Sequence, residues 1–122
     1  MRQALASVSI TALLARPLSG TAVTFTASDY GVASTDTVQI THFGNSQGTW
    51  TWNNSGIPTT LIVGARLTAT QFSTLTYTPA ANAFGDGLNS LSFKFVGTAS
   101  TTGYDSAGLS LIEPTIILNL AP

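Results

Sequence analysis

Between Leu67 and Gly97 the chain reads LTATQFSTLTYTPAANAFGDGLNSLSFKFVG, and polar and apolar side chains alternate in it twice. Thr74, Thr76 and Thr78 interleave with Leu75, Tyr77 and Pro79, and Leu91, Phe93 and Phe95 interleave with Ser92, Lys94 and Val96. A period of two puts each set on its own face of a strand, whereas a helix would mix them. Between the runs, Pro79 fixes φ and ends the ladder, Asn82 suits a turn, and Gly85 and Gly87 accept left-handed backbone. The segment is therefore two β-strands joined at a corner.

The rest of the chain follows the same plan. The expected strands are residues 21–27, 36–42, 49–52, 59–63, 74–79 and 91–96, with a last strand over 109–120 bent at Pro114. Gly/Asn/Pro-rich turns at 44–48 and 53–58 separate them. Residues 68–73 are expected as one helical turn, capped by Thr68, with Leu67 and Phe72 pointing inward. Residues 97–108, GTASTTGYDSAG, read as a flexible loop. Short strands at such spacing predict a sandwich or barrel. At 122 residues the chain makes one domain, with no internal repeat.

The N-terminal stretch MRQALASVSITALLA has the outline of a secretory signal. Ser7, Ser9 and Thr11 interrupt its apolar run and no Ala-x-Ala site follows. Ala4, Ala6, Val8 and Ile10 alternate instead with Leu5, Ser7, Ser9 and Thr11, which predicts an ordered strand or arm. The expected division is an arm or extra strand over 1–20 and one sandwich domain over 21–122. No apolar run nears the roughly 20 residues of a membrane span.

Composition removes several functions. Charged residues are 7% of the chain, against roughly 25% in ordinary domains. Four basic residues, Arg2, Arg16, Arg66 and Lys94, are scattered, so no stripe tracks phosphates and no nucleic acid or anionic membrane is expected as partner. The absence of cysteine rules out disulfides and thiolate chemistry. His42 is the single histidine, and no GxSxG or HExxH motif accompanies it, so the expectation is no enzyme. A surface with so little charge has little protection against association, and apolar surface on it marks contact sites. Trp50 and Trp52 are two apart on one strand and share a face. That face belongs to the core, to a platform stacking on sugar rings, or to an interface that the tryptophans anchor.

Phe25-Thr26 to Tyr30, Gly48 to Trp52, Leu75 to Asn82 (LTYTPAAN) and Phe93 to Val96 together resemble the cadherin-like, immunoglobulin-type repeats of large bacterial surface adhesins. The likeness covers about residues 21–97, and TYTPAAN is its specific part. It implies an all-β, immunoglobulin-like (cadherin-like) antiparallel β-sandwich, with Trp50 and Trp52 facing the core where the family has leucines. The family's acidic calcium loop corresponds to SDYGVASTDT, which holds only Asp29 and Asp36. Calcium takes six to eight oxygens. Asp29, Asp36 and Asp86 are the only candidates, and the expectation is no cofactor.

The functional expectation is a structural module that works in an assembly with other protein subunits, as a homo-oligomer or in a capsid or fibre. A stand-alone unit with an N-terminal arm fits a phage capsid decoration protein located in the virion. The alternatives are an adhesin or fibre module at the bacterial surface, and a carbohydrate-binding sandwich. Docking is expected through the arm and the last strand by strand addition. The expected interface residues are Arg2, Leu5, Val8, Ile10, Leu13, Ile112, Ile116 and Leu118.

Overall fold

The computed structural model describes residues 9–14, 22–44, 47–80 and 85–120, with 9–14, 85–88 and 119–120 described by backbone alone. The strands are β1 (Ser9–Leu14), β2 (Val23–Thr24), β3 (Thr37–Phe43), β4 (Gly48–Asn54), β5 (Ile57–Thr60), β6 (Arg66–Thr68), β7 (Thr76–Pro79), β8 (Gly85–Phe95) and β9 (Thr115–Leu120). One sheet has the order β1-β9-β8-β3-β6 and the other β2-β7-β4-β5. The chain is an all-β sandwich, and its core lies between these sheets. All pairings are antiparallel except β1 with β9, which is parallel. That pair departs from the purely antiparallel expectation.

Alternation builds the core as the sequence implies. Tyr77 and Pro79 are buried on β7 and Leu75 just before it, and Leu91, Phe93 and Phe95 are buried on β8. Opposite them, β3 buries Val38 and Ile40, and β4 buries Trp50 and Trp52. The aromatic rings form a continuous chain across the sandwich. Tyr77 contacts Trp50 at 4.8 Å between centroids, and Trp50 stacks on Phe25 at 5.6 Å. Phe25 meets Tyr30, Tyr30 meets Phe72, Phe72 meets Phe93 edge-on at 5.3 Å, and Phe93 meets Phe95. Each such pair adds about 0.5–1.5 kcal/mol beyond area burial. The series begins in the second sheet and ends in the first.

The middle of that series depends on two short helical pieces. A 3-10 turn over Ala27–Tyr30 carries Tyr30. Helix α1 (Ala69–Phe72) carries Phe72, which is fully buried with Leu67. Thr68 caps it as expected. Its hydroxyl accepts from Gln71 N–H, while the Gln71 side chain accepts from Thr68 N–H. This reciprocal box satisfies donors that a four-residue helix cannot bond internally.

A polar knot closes one end of the sandwich. Trp50 Nε1 donates to the Gly44 carbonyl at 2.7 Å, and Tyr77 Oη donates to the Gln47 carbonyl at 2.8 Å. Buried Asn89 donates from Nδ2 to Tyr77 Oη at 3.2 Å. Glycine at 48 is required by close approach, because a Cβ there would sit 2.5 Å from the Thr78 carbonyl and 2.7 Å from the Tyr77 ring.

Several elements differ from the sequence reading. The expected strand over 21–27 pairs only at Val23 and Thr24, because the chain then winds into the 3-10 turn. The expected strand over 59–63 lies instead at Ile57–Thr60. The two-residue turn Ser55-Gly56, with φ of 53° and 88°, brings Ile57 opposite Asn54 at once. The last strand begins at Thr115, and Pro114 separates it from the isolated bridges at Leu109 and Ser110.

Residues 97–108, expected as flexible, are tied down. The Tyr104 ring lies against Gly97, and the Asp105 carboxylate accepts from the N–H groups of Ala107 (2.8 Å) and Leu109 (3.0 Å). The Leu109 bond leads in holding the Asp105 carboxyl below the usual carboxylate range, against some desolvation, with help from Ala107 and the Lys94 charge. A depressed folded pKa gives stability that is full above the unfolded value, about 3.9, and is lost as pH falls through the lower folded one. Asp105→Ala is therefore expected to melt below the wild type at pH 7. The gap should close in strong acid, and Asp105→Asn, which keeps an oxygen acceptor, should retain much of the stability. Thermal melts from pH 7 downward test this; a gap that widens in acid would refute it.

Candidate interaction surfaces

The second sheet turns a face of threonines outward. Thr24 is level with Thr76, Thr76 with Thr51 and Thr51 with Thr60, so one row crosses all of its strands. Thr49 and Thr78 start the next row. Hydroxyls and methyls there carry no charge. The depressions beside this face are shallow. One of about 310 Å³ is lined by Asn53, Gly56, Gln71 and Thr74 among others, and another of about 190 Å³ lies by Pro58 and Thr76. Neither contains an ionisable side chain, so neither offers a group for acid–base work at neutral pH.

Exposed apolar side chains stand at the start of β5 and just beyond its end, and Leu111 is a further one. Ile57 is 66% exposed, Ile62 63% and Val63 61%. They stand out because Leu61, between them, is buried. The chain leaves the sheet at Leu61 and turns back at Gly64, whose N–H donates to the Ile40 carbonyl at 2.8 Å. Residues 59–63, expected as one strand, hide the exposure of Ile62 and Val63. The signal was present in the run Leu61-Ile62-Val63 followed by Gly64, which breaks alternation before a turn.

The sheet edges differ in how they are finished. Leu61 N–H bonds the Trp50 carbonyl, so ladder bonds fall at alternate positions and Pro58 and Thr60 turn their backbone outward from β4. Pro58 has no N–H to offer there. The outer edge of β5 is thus poor in donors. Strand β1, at the edge of the other sheet, contains neither proline nor charge in SITALL, and no other described strand pairs with its outer side.

The expected interface residues are not brought together. Ile112, Ile116 and Leu118 are buried, at 5%, 0% and 0% exposure. They are core of this sandwich, because inward positions on an apolar strand fill the space between sheets before any partner arrives. Ile10 and Leu13 lie on β1, opposite Ile116 and Asn119. Arg2, Leu5 and Val8 fall outside the described residues.

Trp50 and Trp52 are both buried, at 2% and 8% exposure. Their ring faces are unavailable for stacking on a sugar. Trp52 Nε1 is buried and has no hydrogen-bond partner among the described residues. Asp36 is used locally, its Oδ2 accepting from Ala33 N–H at 2.9 Å, while Asp29 is exposed on the 3-10 turn. Asp86 lies on β8, where the backbone alone is described. Among the described residues no three of His, Cys, Asp and Glu gather as metal ligands, and no helix is long and apolar enough to cross a membrane. His42 is exposed near the end of β3. No protein-family model, curated protein or solved structure matches the chain.

Proposed function

We propose that this chain is a non-enzymatic structural module that acts as one subunit of a larger protein assembly. The observation that carries this reading is the exposure of Ile57 and of the adjacent pair Ile62 and Val63 on a chain with very little charge. Water-exposed apolar side chains such as the adjacent Ile62 and Val63 are stabilised by being covered. The assembly we propose is a virion, with the chain as a capsid decoration (cement) subunit that binds by surface contact and strand addition.

The sandwich is of immunoglobulin-like, cadherin-like type in this reading. In that fold the strands B, E and D form one sheet and C, F and G the other. The orders β2-β7-β4 and β3-β8-β9 support the assignment. The excursion through β5 and β6, which returns to pair with β3, is a departure from it. The alternative, a module of a bacterial surface adhesin or fibre, is favoured by the TYTPAAN corner alone.

Association is the first test. The purified chain should sediment as an oligomer at raised concentration, and Ile62→Lys with Val63→Lys should shift it to monomer. Both side chains are exposed, so folding stability should change by no more than about 0.5 kcal/mol. A chain that stays monomeric at every concentration, alone and with candidate capsid particles, would sink the proposal. Genomic position decides between the assemblies. A coding sequence among capsid genes supports the virion, and one embedded in tandem copies within a long secreted frame supports the adhesin.

A further inference from the structure

The geometry points to β1 as an exchangeable strand: the slot beside β9 is a docking site for the β1 segment of a second copy of this chain. The inference deepens the assembly reading and rests on it, by naming one occupant and one edge. Strand β1 runs parallel to β9 in continuous register, from Ser9 opposite Thr115 to Leu14 opposite Leu120. It pairs with no other described strand. A slot that accepts this segment from its own chain accepts the identical segment from a neighbour, since backbone partners and register are the same.

Three physical points favour the exchange. An empty slot leaves the N–H and C=O groups on one side of β9 unpaired, and TIILNL contains no charge or proline to blunt that edge. The released strand, SITALL, is equally unprotected. Each half is therefore sticky without the other. The next strand, β2, belongs to the opposite sheet, so β1 is joined to the remainder only through residues 15–22. A connection of that length spans at most about 29 Å when extended, enough to reach a touching neighbour.

The absence of native cysteine makes the test direct. Thr11 and Ile117 are register partners, as are Ser9 and Thr115. Thr11→Cys and Ile117→Cys would be made in separate full-length chains, mixed at raised concentration and oxidised. Exchange predicts a mixed disulfide dimer between the two variants, several-fold above that from Thr11→Cys mixed with Thr78→Cys, which lies on the opposite sheet. The pair Ser9→Cys and Thr115→Cys repeats the experiment should either first variant fail to fold. Sedimentation is measured on the same samples. An oligomer without the mixed disulfide overturns exchange and leaves the assembly reading standing on exposed Ile57, Ile62 and Val63. A monomer without it overturns both. A mixed disulfide no more abundant than the Thr78→Cys control also overturns exchange.

Discussion

Trp50→Ala is expected to destabilise the fold by about 3–5 kcal/mol, the range for truncating a buried aromatic. A domain of this kind has about 5–15 kcal/mol in total, so the variant should lose a large share of its stability and unfold at a clearly lower urea concentration. Trp50 is 2% exposed, contacts Phe25 and Tyr77, and donates to the Gly44 carbonyl. Its neighbour on the same face gives the control. Trp52 is buried too, but its Nε1 has no partner among the described residues. Trp52→Phe removes an unpaired polar group, whose burial costs about 1–3 kcal/mol, while Trp50→Phe breaks a hydrogen bond. Urea denaturation should therefore rank Trp50→Phe as the more damaging change, at similar m-values. The reverse order would mean that ring volume, not the indole N–H, decides these positions.

Phe72→Ala should be comparably severe, at about 3–5 kcal/mol, although it lies on a helix of one turn. The helix itself contributes little, since so short a piece is far below the length that is stable alone. What the side chain does is join the sheets. It is fully buried, lies edge-on to Phe93 at 5.3 Å, and meets Tyr30 at 6.3 Å. Truncation cuts the ring series in the middle. The expected signs are a lowered urea midpoint and weakened near-ultraviolet dichroism from the aromatic rings. Phe72→Leu, which keeps most of the apolar volume, should lose much less. Equal losses for leucine and alanine would show that ring contact, rather than volume, holds the sheets together.

The sequence was most readable where one side chain alternated with the next. Val23, Phe25 and Ala27 are buried and Thr24 and Thr26 exposed, as the run TAVTFTA implies. Yet only Val23 and Thr24 pair with another strand. Alternation reports which face meets the core; it does not report whether the backbone finds a ladder partner. The same limit explains the interface residues. Ile116 and Leu118 alternate as an inward face must, but a period of two cannot distinguish the chain's own core from a partner's surface. Pairing between distant segments, such as β1 with β9 in parallel, has no local pattern at all. The exposure of Ile62 and Val63 was hidden by their neighbour, because Leu61 made them look like more strand. The capped turn at Thr68 was legible because capping is local: the side chains that make it lie within one turn of the chain.

Pro58 gives the molecule a direction. Sheets with two open edges grow at both ends, and identical copies then run on into fibres. Here β5 and β1 are edges of different sheets: the β5 edge of one offers few donors, while the β1 edge of the other is unblunted. Strand addition is weakened beside Pro58, so the two sheets do not invite a neighbour equally.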